Sequence, residues 1–342
     1  MNNSAANEID FPRRMVALEA EVSSMFGDHW SMMSPQAGPL SKASDADTPD
    51  DNPYAIGAKR SWVPVIGEIV WRLPQALAVP FSAYTCQASN GQRIGYARMP
   101  HYKFNEYVVD AFADEVIARF EDTTEAMVFD QVNNPGGDMF RMYGILSTLT
   151  DRPLALPKHQ ISIDEEEEAK ALRVVTLAEA GNAVPSYKRP SPELVAYSRV
   201  MLLELKEGRG RGIPSNPLHL SGVAEIMPAK IHYTKRIVVL MNELTFSAPE
   251  FLAAILQDNK RATLFGERTA GAGGCVRQLK GSHNELFGID YITVTWTLAW
   301  RTNGQPIENI GVQPDVRYSK TVEDLQSGYA GYRRALLSTI SA

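Results

Sequence analysis

Ser247 stands between an apolar run, 236–243, and a segment, 249–258, whose Leu252, Ile255 and Leu256 share one helical face. A hydroxyl at such a strand-to-helix junction sits in the positive field of the helix N-terminus, which favours developing anionic character and suits a nucleophile. The N–H of Ala248 would point at an oxyanion formed beside it. Pro249 fits the first helical turn, where its missing N–H costs nothing. The plainer reading is a helix cap, because serine is a preferred capping residue. A second junction bears on the choice. The sequence NNPGG, 133–137, ends the apolar run 125–132 and opens a helix from Asp138. Glycines there permit positive φ and close approach of a substrate to the backbone. One N–H from Gly136 or Gly137, together with that of Ala248, would make an oxyanion hole. The plain alternative is an ordinary turn, for which Asn, Pro and Gly are the usual residues.

Other chemistry is harder to place. GERTAGAGG, 266–274, lacks the Gly-Lys-Ser/Thr ending and the following helix of a phosphate loop, and reads as a flexible wall along which a peptide could lie. The six histidines, His29, His101, His159, His219, His232 and His283, show no zinc spacing and no motif that marks a base, so no metal and no cofactor is expected. Cys86 and Cys275 are far apart and read as small buried apolar residues. A net charge of −6 over 342 residues gives no reason to expect nucleic acid or an anionic membrane as partner. No apolar run reaches membrane-spanning length, and the N-terminus lacks the basic and apolar regions of a secretory signal. Localisation therefore stays open.

These residues need elements to hold them. Residues 31–56 are rich in Ser, Pro, Asp and Ala and read as a linker, after a short helix at 14–26. Asn90-Gly91 marks a hairpin. Val108, Phe112, Val116 and Phe120 mark an amphipathic helix over 105–120. Strands are expected at 125–132, 236–243, 261–267 and 291–300, helices at 193–206 and 249–258, and a last helix after 320. The acidic run 164–168 suits a helix start, and GRGRG, 208–212, reads as a flexible connection. Residues 150–230 form a mostly helical insertion with no strand pattern of their own. Alternating strands and helices argue for an α/β fold with parallel pairing in the middle and antiparallel pairing towards the end.

The stretches VFDQVNNPGG and NELTFSAPEFLAAILQDNKRATLFGERTAGAGG resemble the tail-specific (C-terminal processing) serine protease family, and more closely its chlamydial protease-like activity factor branch. That likeness extends over roughly 50–335 and includes IENIGVQPDV. It implies an α/β, ClpP/crotonase-like catalytic domain with a mixed sheet over 57–342, preceded by a linker or remnant over 1–56. It implies a serine endopeptidase acting on polypeptide substrates through an acyl-enzyme, with a homodimer as a candidate assembly. By resemblance Ser247 is the nucleophile and Glu308 the carboxylate that orients a histidine. Ala272 stands where Ser-Lys members carry their lysine. In the resembling branch the base lies in an N-terminal region ahead of a PDZ-like segment. None of the six histidines is expected to serve, and the chain is read as the C-terminal catalytic portion of a longer protease. Lys260 and Lys280 are the fallback for a Ser-Lys pair. The rival readings are a peptide-binding pseudoprotease without a base and a crotonase-type acyl-CoA enzyme.

Overall fold

A computed structural model describes residues 10–26, 52–183, 185, 189–279 and 292–342. Its centre is a seven-stranded sheet in the order β1-β2-β3-β4-β8-β9-β13. The strands are β1 (Glu68–Arg72), β2 (Ser82–Gln87), β3 (Arg93–Arg98), β4 (Ala126–Asp130), β8 (Arg236–Met241), β9 (Thr263–Gly266) and β13 (Val316–Arg317). The β1-β2-β3 pairs are antiparallel, with the expected tight turn at Asn90-Gly91 between β2 and β3; from β3 to β13 every pair is parallel. The sheet is thus mixed and mostly parallel, as the alternation of strands and helices required.

Both faces of its middle are covered, which is why β4 and β8 read as continuous apolar runs. Alternate residues part to opposite sides. Met127, Phe129, Ile237 and Val239 join one core with Phe251 and Leu252 of helix α7 (Ala248–Asp258). Val128, Val238 and Leu240 join the other with Tyr332, Leu336 and Ile340, spaced by four along helix α9 (Ala330–Ser341). Helix α8 (Val322–Gln326) precedes α9.

The helix expected over 105–120 is interrupted. Helices α2 (Tyr107–Phe112) and α3 (Ala118–Thr123) flank a π-turn at Ala113–Ile117. Strict spacing by four drifts about 40° per step on a helix of 3.6 residues per turn. The wider turn absorbs that drift, and Val108, Phe112, Val116 and Phe120 are all buried.

The helix expected at 14–26 is present as helix α1 (Phe11–Phe26), which buries Phe11, Met15, Leu18 and Val22 in the main core, against helix α4 (Met139–Ser147). Residues 27–51, with His29, lie outside the described residues. The insertion 150–230 carries helices α5 (Glu165–Glu179) and α6 (Pro192–Lys206), but it is not strandless. It contributes β5 (Leu154–Ala155), which pairs with β7 (Glu225–Ile226), and β6 (Lys158–Ile161). Strands of two to four residues are too short to show a period of two. The strand expected at 291–300 is divided at Trp296 into β11 (Ile292–Thr295), paired with β10 (Val276–Leu279), and β12 (Thr297–Trp300), paired with β6.

The acidic run does begin a helix: Asp164 and Glu167 form a capping box, and Arg277 of β10 pairs with both. In GRGRG, Arg209 pairs with Glu204 and Glu207, and Arg211 with Glu168. Cys86 and Cys275 are free and buried. Among the described residues no helix is long and apolar enough to cross a membrane.

Candidate active site

Because β4 and β8 are parallel neighbours, with Asp130 opposite Leu240, the turns that leave them emerge side by side at one end of the sheet. That end, beyond the carboxyl ends of the strands, is where open α/β sheets place ligands. The first turn starts on a buried charge pair. Asp130 meets Arg98 Nη1 at 3.1 Å, accepts from Tyr96 Oη at 2.5 Å, and receives the N–H of Val132 at 2.9 Å. Amide side chains then lace the two turns together. Asn133 N–H donates to Asn242 Oδ1 (2.9 Å), and Asn242 Nδ2 donates to Asn133 Oδ1 (2.7 Å). Phe246 N–H donates to the Asn134 carbonyl (3.0 Å), and Thr245 Oγ1 to the Gln131 carbonyl (3.2 Å). Each of the asparagine side chains in this lacing has a partner, as a buried polar network requires.

Ser247 begins α7 at φ 67°, ψ −122°, outside the comfortable regions for a residue with a Cβ. The N–H of Glu250 goes to the Ser247 carbonyl (2.8 Å), and the turn is half-exposed, flanked by Phe246 and Leu244, which are 47% and 42% exposed. The glycine turn lies against it. A Cβ on Gly136 would sit 2.8 Å from the Phe246 carbonyl oxygen and 2.9 Å from Ser247 Cβ. Of the two glycines expected as alternative oxyanion donors, Gly136 has its N–H engaged by Asn134 Oδ1 at 2.9 Å. Among the described hydrogen bonds none uses the N–H of Gly137, and Ala248 opens a helix, where first-turn N–H groups lack partners within the helix.

Glu308 lies along the glycine loop. Its carboxylate oxygen is 3.4 Å from the position of a Cβ on Gly274, and its backbone N is 2.8 Å from that of a Cβ on Gly273. Burial, and then the charge of Glu250, push its carboxyl above the ordinary range, while the Gly273 N–H works in the opposite direction. Glu250 was not singled out by the sequence reading, and it is fully buried. It accepts from the N–H of Ser247 at 3.1 Å and from three donors of the 269–272 loop. Burial pushes its carboxyl up as well, against the pull of those hydrogen bonds. The Ser-x-x-Glu spacing of a capping box was the signal that could have found it.

Of the fallback lysines, Lys260 does not enter. Lys260 follows the far end of α7, about 16 Å along its eleven residues from the Ser247 end. Lys280 and His283 lie outside the described residues. His159 is buried on β6, stacked on Phe251, with Nδ1 2.9 Å from Thr297 Oγ1; burial and then His219 push it down to about 3, so it is neutral. Among the described histidines, His101 is the one whose chain neighbour pairs with the glycine turn. It follows β3, and its neighbour Tyr102 receives the N–H of Asp138 and donates to the Gly136 carbonyl. Its Nδ1 accepts from the N–H of Lys103 at 3.1 Å. Among the described residues no group of three His, Cys, Asp or Glu side chains could hold a metal ion.

Comparison with known proteins supplies the context for this arrangement. A Chlamydia trachomatis protein is 34% identical over 302 residues, which cover 82% of this chain and 50% of that protein. The crystal structure of mature CPAF matches with 32% identity and a TM-score of 0.72, over 86% of this chain and 59% of that one. Mature CPAF complexed with lactacystin gives a TM-score of 0.73 at 32% identity, over 88% and 62%. The chain thus spans about half the length of the curated relatives it matches. The family model for peptidase family S41 covers residues 93–318, which takes in both turns, the glycine loop and Glu308, and the chain belongs to peptidase family S41.

Proposed function

We propose that this chain is the catalytic portion of a serine endopeptidase, with Ser247 as nucleophile. The observation that carries the reading is the conformation of Ser247, a strained non-glycine residue at the head of a helix, packed on a glycine turn with an uncommitted N–H. Strain of this kind persists where the surrounding structure over-determines it, and it clusters at active sites. In the proposed reaction Ser247 Oγ adds to a peptide carbonyl while its proton passes to an imidazole. The oxyanion accepts from the N–H groups of Gly137 and Ala248. The amine leaves with the proton, and water then hydrolyses the acyl-enzyme. Glu308 orients the imidazole, which comes from a histidine beyond those described beside Ser247.

A second reading has its own observation. Position 272 is alanine, and His159 is buried and stacked on Phe251, so a peptide-binding scaffold without turnover fits the chain when it stands alone.

A fluorophosphonate probe separates the two. Labelling that disappears in Ser247→Ala supports the peptidase, and cleavage of an unfolded protein that appears only when an N-terminal segment is added in trans supports the external histidine. Peptide binding with no labelling under either condition supports the scaffold. His101→Ala is the control: loss of labelling in that variant, with the fold intact, would transfer the role of base to His101.

A further inference from the structure

Glu250 does more than a capping glutamate needs to. In a capping box the carboxylate of the third helical residue takes the N–H of the cap residue, and here Oε1 does accept from Ser247 at 3.1 Å. Three further donors come from 19, 21 and 22 residues away: Thr269 Oγ1 to Oε2 at 2.5 Å, Gly271 N–H to Oε2 at 2.7 Å, and Ala272 N–H to Oε1 at 2.8 Å. Thr269 Oγ1 already accepts the N–H of Val312 at 2.7 Å, so its own proton points to Glu250. All four partners are therefore donors, and the side chain they fit is an ionised carboxylate, which accepts at both oxygens. The same loop holds the other half of the site. Gly271 receives the N–H of Asn309 through its carbonyl at 2.7 Å, one residue beyond Glu308.

We propose that Glu250 is a positioning residue that sets Ser247 against Glu308: one buried carboxylate holds the Ser247 N–H, and the same two oxygens fasten the 269–272 loop, to which the segment carrying Glu308 is hydrogen-bonded. With its N–H held inside, Ser247 keeps φ 67° and ψ −122°, and its Oγ lies 3.3 Å from the position of a Cβ on Gly136. Glu250 itself does not touch substrate. The inference rests on the reading of Ser247 as nucleophile, but the clamp has an observable of its own.

The test uses the full chain and the variant Glu250→Gln. Its amide must place an NH2 donor against two donors, whichever way it is turned, although size and shape are kept. The expected result is a maximal fluorophosphonate labelling rate at saturating probe lower by about 10- to 100-fold, with probe affinity little changed, since small displacements near reacting atoms cost rates of this order. In parallel the amides of Gly271 and Ala272, which Glu250 holds in the wild type, should exchange at least about 10-fold faster in the variant. A purely structural role would lower the fraction of molecules labelled and leave the rate of the labelled fraction alone. Thr269→Val, which removes one donor with little change in volume, should give a smaller loss of rate of about 3- to 10-fold and serves if Glu250→Gln does not fold. A folded Glu250→Gln variant with unchanged labelling rate overturns the proposal, as does a lost rate with Gly271 and Ala272 still protected. If the wild type does not label even with the N-terminal segment added, the nucleophile reading has failed. Unchanged exchange in Glu250→Gln would then show separately that the clamp is absent.

Discussion

In the turn after β4, the residues at positive φ are Asn133 (56°), Gly136 (98°) and Gly137 (144°); in the turn after β8, Ser247 alone is there, at 67°. The two turns leave neighbouring parallel strands, share amide hydrogen bonds and face each other. They differ in what occupies the strained positions. The first turn gives them to glycine, which takes such φ values without penalty, and to Asn, which tolerates them. The second puts a Cβ and a hydroxyl where glycine would be relaxed, at a cost of about 1–3 kcal/mol. The Asn133–Asn242 pair, the Phe246–Asn134 hydrogen bond and the Glu250 clamp together hold that residue in place. On the proposed function, the first turn has only to offer N–H groups and can be relaxed, whereas the second has to offer a side chain and is held in strain by its neighbours.

Four experiments break or sharpen this contrast. The largest effect belongs to Ser247→Ala, which keeps the Cβ and the strain but removes Oγ. Serine-directed labelling should fall by at least about 10³-fold with the melting temperature nearly unchanged; retained labelling would remove the distinction between the turns. Next comes Gly137→Ala. Its new Cβ would lie 2.4 Å from the carbonyl carbon of Tyr102, and the residue sits at φ 144°, so a loss of roughly 3 kcal/mol or more is expected in denaturant unfolding. A loss below about 1 kcal/mol would show that the first turn is not committed to glycine. Asn242→Ala strips the Asn133 N–H and side-chain oxygen of their shared partner, and about 1–3 kcal/mol of stability should go with it. An unchanged unfolding midpoint would mean that the lacing of the turns contributes nothing. The smallest effect is the most direct: Ser247→Gly should gain about 1 kcal/mol, strain relief less the greater freedom of glycine in the unfolded chain, while abolishing labelling. A loss of stability there would argue that Ser247 is not strained.

Much of the site could be read along the chain because its signals are local. Apolar runs at 125–132 and 236–243 fitted strands buried on both faces, and NNPGG and Ser247-Ala-Pro marked the two turns through residue types that only particular backbone conformations favour. The α/β class followed from the alternation of strands and helices. That the Gly136 N–H is taken by Asn134 was not legible, because it depends on where the Asn134 side chain folds back. Nor was the docking of Phe11, Met15, Leu18 and Val22 on α4, or the pairing of His159 on β6 with Ala299 on β12, since a short segment's own pattern does not name a partner more than a hundred residues away.

Glu250 shows where the two levels part. Its spacing from Ser247 was written in the sequence as a capping pattern, and that determined one of its four hydrogen bonds. The other three came only with the fold, when parallel β8 and β9 brought the loop at 269–272 over the first turn of α7. Local sequence determined which backbone each residue can adopt, because φ, ψ and period are properties of a few neighbouring residues. Tertiary structure decided which donors surround a buried carboxylate, because that depends on which segments pack together once water is excluded.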